Sequence, residues 1–118
     1  MDLMINNVRV FTMQEEHPVL EEGFVGIRDG VYTLVSLVQP RIMARTFIDG
    51  AGKTLVPLAL LEPLQALVQG AADTVWPEVP ADSVLLEGPV DLQDLQNVRL
   101  SQICMILHEG NVLWQKAI

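Results

Sequence analysis

The fold prediction depends on the stretch Phe47-Ile-Asp-Gly-Ala-Gly-Lys-Thr-Leu-Val-Pro57, which could be a phosphate-binding loop or a turn between two strands. Its Gly-Lys-Thr ending also occurs in phosphate-binding loops, whose pattern G-x-x-x-x-G-K-[ST] requires a glycine five residues earlier and a helix afterwards. That earlier position is Phe47, and Thr54 is followed by Leu-Val-Pro, which disfavours a helix. The sequence therefore predicts a tight Gly-Ala-Gly turn between two strands and argues against a nucleotide site.

The residues before this turn have the pattern of short strands. Residues 3–13 indicate two strands interrupted at the turn-favouring Asn6-Asn7 pair. Asp29-Gly30 lies between runs rich in β-branched residues, and this predicts a two-residue hairpin because both turn positions need positive φ. The N-terminal half is therefore predicted to be β structure.

Helical spacing replaces the strand pattern after Pro57. Four apolar residues recur at helical intervals: Leu60, Leu64, Leu67 and Val68. Pro63 suits a first turn, and Gly70 can end the helix. Residues 71–82, in which Trp76 is followed by Pro77 and Pro80, indicate a connector and the most natural boundary within the chain.

The C-terminal third returns to β structure. Residues 83–87 indicate a strand, and Asp91 can cap a short helix that carries Leu92 and Leu95. Residues 103–107 and 112–115 are predicted to form a hairpin across a Glu-Gly turn. The chain is therefore expected to end in a second hairpin.

The composition limits the classes of function. The 118 residues suffice for one domain, and 50% are hydrophobic while 19% are charged, which favours self-association. The net charge of −8 argues against nucleic acid or an anionic membrane as the partner. Seven acidic residues fall between Lys53 and Arg99 and are expected to be solvated.

The single cysteine, Cys104, is predicted to be a buried core thiol. The absence of a basic leader or a membrane-length apolar run predicts a cytoplasmic protein.

Two segments of the chain resemble known enzymes. The Asn-Asn-Val-Arg-Val-Phe-Thr, Gly-Phe-Val-Gly-Ile-Arg-Asp-Gly and Phe-Ile-Asp-Gly-Ala-Gly-Lys-Thr-Leu-Val-Pro motifs within residues 3–57 are similar to the N-terminal segment of metal-dependent amidohydrolases, the superfamily of dihydroorotases and imidazolonepropionases. The Ala-Asp-Ser-Val-Leu-Leu-Glu strand and the Glu-Gly hairpin within residues 80–116 resemble the closing segment of the same enzymes. In that superfamily the two segments fold together beside a TIM barrel.

The resemblance implies one mainly β domain, a small buckled β-sandwich or pseudobarrel built from the N- and C-terminal segments, with one or two short helices. We expect residues 1–118 to form this single domain. Its N-terminal part is 1–57, its C-terminal part is 81–118, and residues 58–80 supply a short helix and a connector in place of the barrel.

The resemblance also shows which catalytic groups are missing. The family places an H-x-H metal-binding pair after the Lys-Thr-Leu-Val-Pro strand. The corresponding residues are Pro63 and Gln65, or Leu64 and Ala66 in an alternative alignment. Neither pair can bind a metal. His17 and His108 are expected to be loop and turn residues. We therefore expect no catalytic, cofactor-binding or metal-binding residues, and no enzyme activity.

The sequence is compatible with two main functions. In the first, the chain is a non-catalytic binding or assembly module that associates with itself or with another chain, because a β domain without its barrel exposes apolar surface. In the second, it is the β-domain subunit of a split metal-dependent hydrolase whose barrel is a separate polypeptide. The residues expected at an interface are Trp76, Leu60, Leu64, Leu67 and Val68.

Overall fold

The computed structural model describes residues 1–116, and eight strands form one mixed sheet within them. The strands are β1 (Leu3–Phe11), β2 (Val19–Arg28), β3 (Val31–Ser36), β4 (Thr46–Asp49), β5 (Lys53–Pro57), β6 (Ser83–Glu87), β7 (Ile103–His108) and β8 (Asn111–Gln115). Their order is β3-β2-β1-β5-β6-β7-β8, with β4 beside β1, and the sheet does not close into a barrel. The predicted mainly β class is confirmed.

The helical segments are short. They comprise 3₁₀ turns at Leu58–Leu60, Leu92–Asn97 and Leu100–Gln102, and one α-helical turn, α1 (Glu62–Gln65). Within residues 1–116, no helix has the length and apolar character needed to cross a lipid bilayer.

The two end segments share the sheet. Strand β5 from the N-terminal part pairs antiparallel with β6 from the C-terminal part, with Lys53 opposite Glu87. Strands β4 and β5 both run parallel to β1 and are separated by the Gly-Ala-Gly turn, as predicted. Gly50 in this turn lies against β1, where its N–H donates to the Asn6 carbonyl at 2.6 Å and an added Cβ would come within 2.5 Å of the Val8 Cβ. The turn therefore needs glycine for packing.

The predicted break in the first strand is wrong. Strand β1 is continuous, and the Asn6-Asn7 pair forms a bulge, where Asn7 has a φ of 57° and the pairing with β2 shifts between Ile5 and Val8. Strand β1 pairs with β2 on one side and with β4 and β5 on the other. These ladders hold the strand together, so the turn preference of the asparagines produces only a local irregularity.

Both predicted hairpin turns are confirmed. Asp29 and Gly30 have φ values of 53° and 84°, and Glu109 and Gly110 have values of 47° and 79°. The two turns meet through Ala81, whose N–H donates to the Gly30 carbonyl at 2.9 Å and whose carbonyl accepts from the Gly110 N–H at 3.1 Å. The β2–β3 and β7–β8 hairpins are thereby joined at one end of the fold.

Two apolar clusters lie on opposite faces of the sheet. The inner cluster draws on β1, β2, β3, β5, β6 and β7, and the close approach of Gly30 and Gly110 shows that the sheet curls around it. Its members are Leu3, Ile5, Val8, Val10, Leu20, Val25, Ile27, Tyr32, Leu55, Val75, Ala81, Leu85, Met105 and Leu107. The outer cluster lies beneath the helical turns and contains Phe11, Val56, Leu58, Leu61, Leu64, Val68, Val84, Leu86, Val90, Leu95, Ile103 and Ile106. Alternate residues of β5 and β6 serve the two clusters, as the period of a strand requires.

The connector of residues 71–82 is hydrogen-bonded to the start of β3. Pro80 forms an isolated antiparallel bridge with Val31. Tyr32 donates its N–H to the Val79 carbonyl at 3.0 Å and accepts from the Glu78 N–H at 2.7 Å. The connector therefore covers the outer edge of β3 at Val31 and Tyr32, the first two residues of that strand.

The predicted helix over residues 60–68 is much shorter than expected. Only Glu62–Gln65 is α-helical, with Pro63 in its first turn as predicted. The residues that reach the outer cluster are Leu58, Leu61, Leu64 and Val68. Leu61, Leu64 and Leu67 each donate an N–H to the carbonyl three residues earlier, which is the bonding of successive tight turns and not of one long α-helix.

Asp91 precedes a helical turn, as predicted, but does not cap it with its side chain. The turn is 3₁₀, and no hydrogen bond links the Asp91 carboxylate to the following N–H groups. The carboxylate instead accepts from Arg9 Nη2 at 3.1 Å. Asp91 therefore forms an ion pair with Arg9 of β1 instead of capping the 3₁₀ turn.

Candidate functional site

The two histidines lie in different environments. His17 is an exposed residue of the loop between β1 and β2. His108 ends β7 and places Nδ1 2.7 Å from the carboxylate of Asp82, which is buried and also accepts from the Glu109 N–H at 2.9 Å. The prediction that Asp82 is solvated is therefore wrong. Its carboxylate instead holds the β7–β8 hairpin against the connector.

The metal centre of the resembled enzymes does not fit this chain. Pro63 and Gln65 lie on α1, and Gln65 donates through Nε2 to the Ala59 carbonyl at 2.6 Å. Leu64 is buried in the outer cluster. Across the described part of the chain, no three His, Cys, Asp or Glu side chains are grouped closely enough to hold a metal ion. The side chains at the family's ligand positions therefore serve packing and turn formation.

Cys104 is partly buried and packs against the inner cluster, so the predicted buried core position is confirmed only in part. Leu85 pairs with Met105 and Leu86 pairs with Ile103, which makes Cys104 the extra residue of a β-bulge in β7. The bulge turns the thiol toward Glu87, with Sγ 3.0 Å from the carboxylate. Burial and this hydrogen bond raise the pKa of the Cys104 thiol to about 11, which keeps it in the protonated, unreactive form.

An apolar groove of about 490 Å³ lies beside the outer cluster. Its lining residues carry no charge and come from α1 and the turn after it, the last 3₁₀ turn, β7 and β8; they are Leu64, Leu67, Leu100, Ile103, Ile106, Leu113 and Trp114. We call this surface the apolar groove. Exposed fractions of 74% for Leu100, 58% for Leu67, 50% for Leu113 and 44% for Trp114 show that much of its apolar area faces solvent.

The residues expected at an interface do not form one surface. Leu64 and Leu67 line the apolar groove. Val68 is buried in the outer cluster, and Leu60 packs against its edge. Trp76 lies elsewhere, in a pocket with loop residues that include Glu15 and His17.

Leu113 and Trp114 line the groove together because β8 contains a bulge. Ile106 pairs with Trp114 and Leu107 with Val112, so Leu113 is unopposed. Consecutive residues of a regular strand point to opposite faces, whereas a bulge re-aims one of them. The hydrophobicity of β8 is visible in the sequence, but the bulge that gathers its side chains is not.

Strand β8 is also an open edge. In residues 1–116 it pairs with β7 alone, whereas the connector covers the first two residues at the edge of β3. All five residues of β8 are exposed, and none is charged. Such an edge offers unpaired backbone groups to another strand. The apolar groove and the β8 edge are therefore adjacent features of one surface.

Comparisons with known proteins give partial matches. The chain matches no protein-family model and no curated protein sequence. Among solved structures, the zinc complex of atrazine chlorohydrolase TrzN from Arthrobacter aurescens TC1 matches 48% of this chain at 23% identity, with a TM-score of 0.43. A D-hydantoinase matches 48% at 28% identity, with a TM-score of 0.40. Both are amidohydrolase-superfamily enzymes. The matches cover 13% and 11% of the respective relatives, so the chain spans only a small part of their length.

Proposed function

We propose that this chain is a non-catalytic binding or assembly module that associates with a second copy of itself through the apolar groove. The observation that carries the proposal is the groove itself, an uncharged surface on a chain with a net charge of −8. Contiguous exposed apolar surface of this kind typically marks an interaction site. Burial against another chain would remove Leu67, Leu100 and Trp114 from water.

Charge favours this surface for contact between copies. Two copies repel each other through their net negative charge, and the repulsion is smallest where the facing surfaces carry no charge. The groove lining has none, and β8 carries none between Glu109 and Lys116. A contact in which each copy presents the same groove is self-complementary and closes as a two-fold dimer.

Three features support a role without catalysis. The residues at the metal-ligand positions of the resembled family are Pro63 and Gln65, which cannot bind a metal. The Asp82–His108 pair is used to hold a hairpin in place. The Cys104 thiol has a raised pKa and is therefore a poor nucleophile at neutral pH.

The proposal is tested by placing a charge in the groove. Leu100 and Val38 are both 74% exposed, but only Leu100 lines the groove, so Leu100→Lys and Val38→Lys form a matched pair. Loss of one buried leucine from each copy costs about 3 kcal/mol, or more than a hundredfold in the dimer dissociation constant. Sedimentation equilibrium should show a dimer for the unmodified chain and Val38→Lys, and a monomer for Leu100→Lys.

Other results would count against self-association. If the unmodified chain were a monomer, the occupant of the groove would have to be another polypeptide, such as the separate barrel of a split hydrolase. Equal weakening by both substitutions would show that the groove is not the contact surface. Circular dichroism of both variants establishes that any dissociation is not unfolding.

A further inference from the structure

We infer that the pocket beside Trp76 binds an organic cation with a methylated ammonium group, held by the indole ring and two carboxylates. The pocket has a volume of about 440 Å³ and shares no lining residue with the apolar groove. It is lined by Met13, Gln14, Glu15, Glu16, His17 and Trp76. We call it the Trp76 pocket. The inference does not depend on self-association through the groove.

The indole of Trp76 provides an attractive surface for a cation. The face of an aromatic ring is electrostatically negative, and tryptophan gives the strongest cation–π interaction of the aromatic side chains. Trp76 is 37% exposed, so its side chain is partly open to solvent at the pocket. Within residues 1–116, the one cation–π pair is Arg9 over the Phe11 ring. The Trp76 ring therefore has no cation of its own chain to occupy it.

The negative charge of the pocket comes from Glu15 and Glu16. Both are exposed, and neither forms an ion pair in the described part of the chain. Exposed glutamates alone indicate only a solvated loop, but these two border the same pocket as the Trp76 indole. A cation in the pocket is attracted by the ring and by both carboxylates, whereas an anion is repelled by all three.

Thr12 holds both walls of the pocket in place. Thr12 is fully buried, and its hydroxyl donates to the His17 carbonyl and accepts from the Gln14 N–H at 3.1 Å, which fixes the loop between β1 and β2. Its backbone carbonyl accepts at 3.0 Å from the N–H of Val75, the residue before Trp76. The loop and the indole are therefore positioned by one residue, so a ligand can bind with little reorganisation of the pocket.

The lining favours a methylated ammonium group over other cations. Hard metal ions require several oxygen ligands, and no metal-binding group of three acidic, histidine or cysteine side chains exists in the described chain. A primary ammonium is strongly hydrated, whereas N-methyl groups can contact the apolar surface of Met13 and Trp76. Two kinds of molecule carry this group: small choline-like compounds and the methylated lysines of polypeptides.

Titration with choline, followed by heteronuclear NMR at about pH 8, tests the site. At that pH imidazole groups are mostly neutral and do not repel a cation. The chain has two tryptophans, and Trp76→Phe identifies the indole N–H signal of Trp76. Choline should shift this signal with a dissociation constant on the order of 1 mM and leave the Trp114 signal in place. Dimethylbutanol, the uncharged carbon isostere of choline, should bind at least about tenfold more weakly.

Charge-matched variants separate the pocket from the net charge of the chain. Glu15→Gln combined with Glu16→Gln should weaken choline binding at least about fivefold, because two nearby attractive charges are lost. Glu21→Gln combined with Glu22→Gln is the control, since these residues line a different pocket. This control should change the dissociation constant by less than about twofold.

The ring is tested with Trp76→Leu, which keeps an apolar side chain but removes the π surface. It should weaken choline binding about tenfold. Ligand-observed NMR measures this variant, because it detects choline itself and does not need the indole signal. Circular dichroism establishes that all variants are folded.

A short peptide that contains trimethyllysine distinguishes the two sources of the ammonium group, with the unmethylated peptide as its control. Tighter binding of the methylated peptide than of choline supports a polypeptide ligand, and weaker binding supports a small molecule. The inference would be overturned if choline and dimethylbutanol shifted the Trp76 signal equally, or if both glutamine double variants weakened binding to the same extent. Either result would leave the proposed self-association intact.

Discussion

Gly50→Ala tests whether the Gly-Ala-Gly turn exists for packing. An alanine Cβ at this position would lie 2.5 Å from the Val8 Cβ and 2.9 Å from the Asn6 carbonyl oxygen, so the turn must move away from β1. The movement also strains the hydrogen bond from the Gly50 N–H to Asn6. Overpacking costs about 1–3 kcal/mol and the loss of a backbone hydrogen bond about 1 kcal/mol, so we expect a loss of about 3 kcal/mol.

Gly52→Ala in the same turn is the control. Gly52 has a φ of 73°, and an added Cβ meets no atom within 4 Å, so only the backbone preference is lost, at about 1 kcal/mol. Urea unfolding followed by circular dichroism measures both values. In thermal melts, the loss for Gly50→Ala corresponds to a decrease of about 12 °C in Tm. If Gly50→Ala were no more destabilising than Gly52→Ala, the packing argument would be wrong.

Three further predictions concern buried and partly buried polar groups. Burial raises the pKa of Tyr32 above its unfolded value, so the unfolding free energy of the unmodified chain should fall as the pH rises above about 10. Urea titrations at several pH values should show that Tyr32→Phe lacks the part of this loss that comes from Tyr32. Asp82→Ala removes the carboxylate that His108 and a backbone N–H contact, and should lower the unfolding free energy by about 2–4 kcal/mol in urea denaturation. Glu87→Gln should lower the pKa of Cys104 and speed its alkylation by iodoacetamide at pH 8, a rate followed by mass spectrometry.

The Tyr32 prediction has a second consequence at neutral pH. The Tyr32 and Ser83 hydroxyls are buried neighbours, and within residues 1–116 neither has a hydrogen bond of good geometry. Removing a buried hydroxyl that lacks a partner relieves its desolvation cost. Tyr32→Phe should therefore leave stability unchanged or raise it by about 1 kcal/mol at pH 7. A clear loss would show that the hydroxyl is satisfied in solution.

The features predicted correctly from the sequence are those with local causes. Asp29-Gly30 and Glu109-Gly110 form hairpin turns because adjacent residues must both adopt positive φ, and few residue pairs do so easily. The Gly-Ala-Gly turn is similarly local. The absence of glycine at residue 47 was enough to argue against a phosphate loop, and the residues after Gly52 form β5.

The wrong predictions have non-local causes. Asp82 is buried because His108 and the Glu109 N–H, which lie more than 25 residues away, converge on its carboxylate. Cys104 is only partly buried because a bulge, which depends on the register between β6 and β7, directs its thiol toward Glu87. The helix after Pro57 is short because each tight turn places a different leucine on the sheet. A pattern of apolar spacing in one segment contains none of this information.

The candidate site was predicted only in part for the same reason. Leu64 and Leu67 were identified by their helical spacing. Leu100 and Leu113 reach the groove from segments that are distant in sequence, and the bulge in β8 decides that Leu113 and Trp114 share it. The residue type of Trp76 and the prolines near it predict an interface residue, but they do not determine the surface on which it lies.

The central claim is that the apolar groove is covered by a second copy of the chain. Size-exclusion chromatography with light scattering, performed on the unmodified chain over a wide concentration range, tests it most directly. The account predicts a mass of twice 13.1 kDa that persists on dilution into the low micromolar range. A constant mass of 13.1 kDa at all concentrations, in a folded sample, would contradict it.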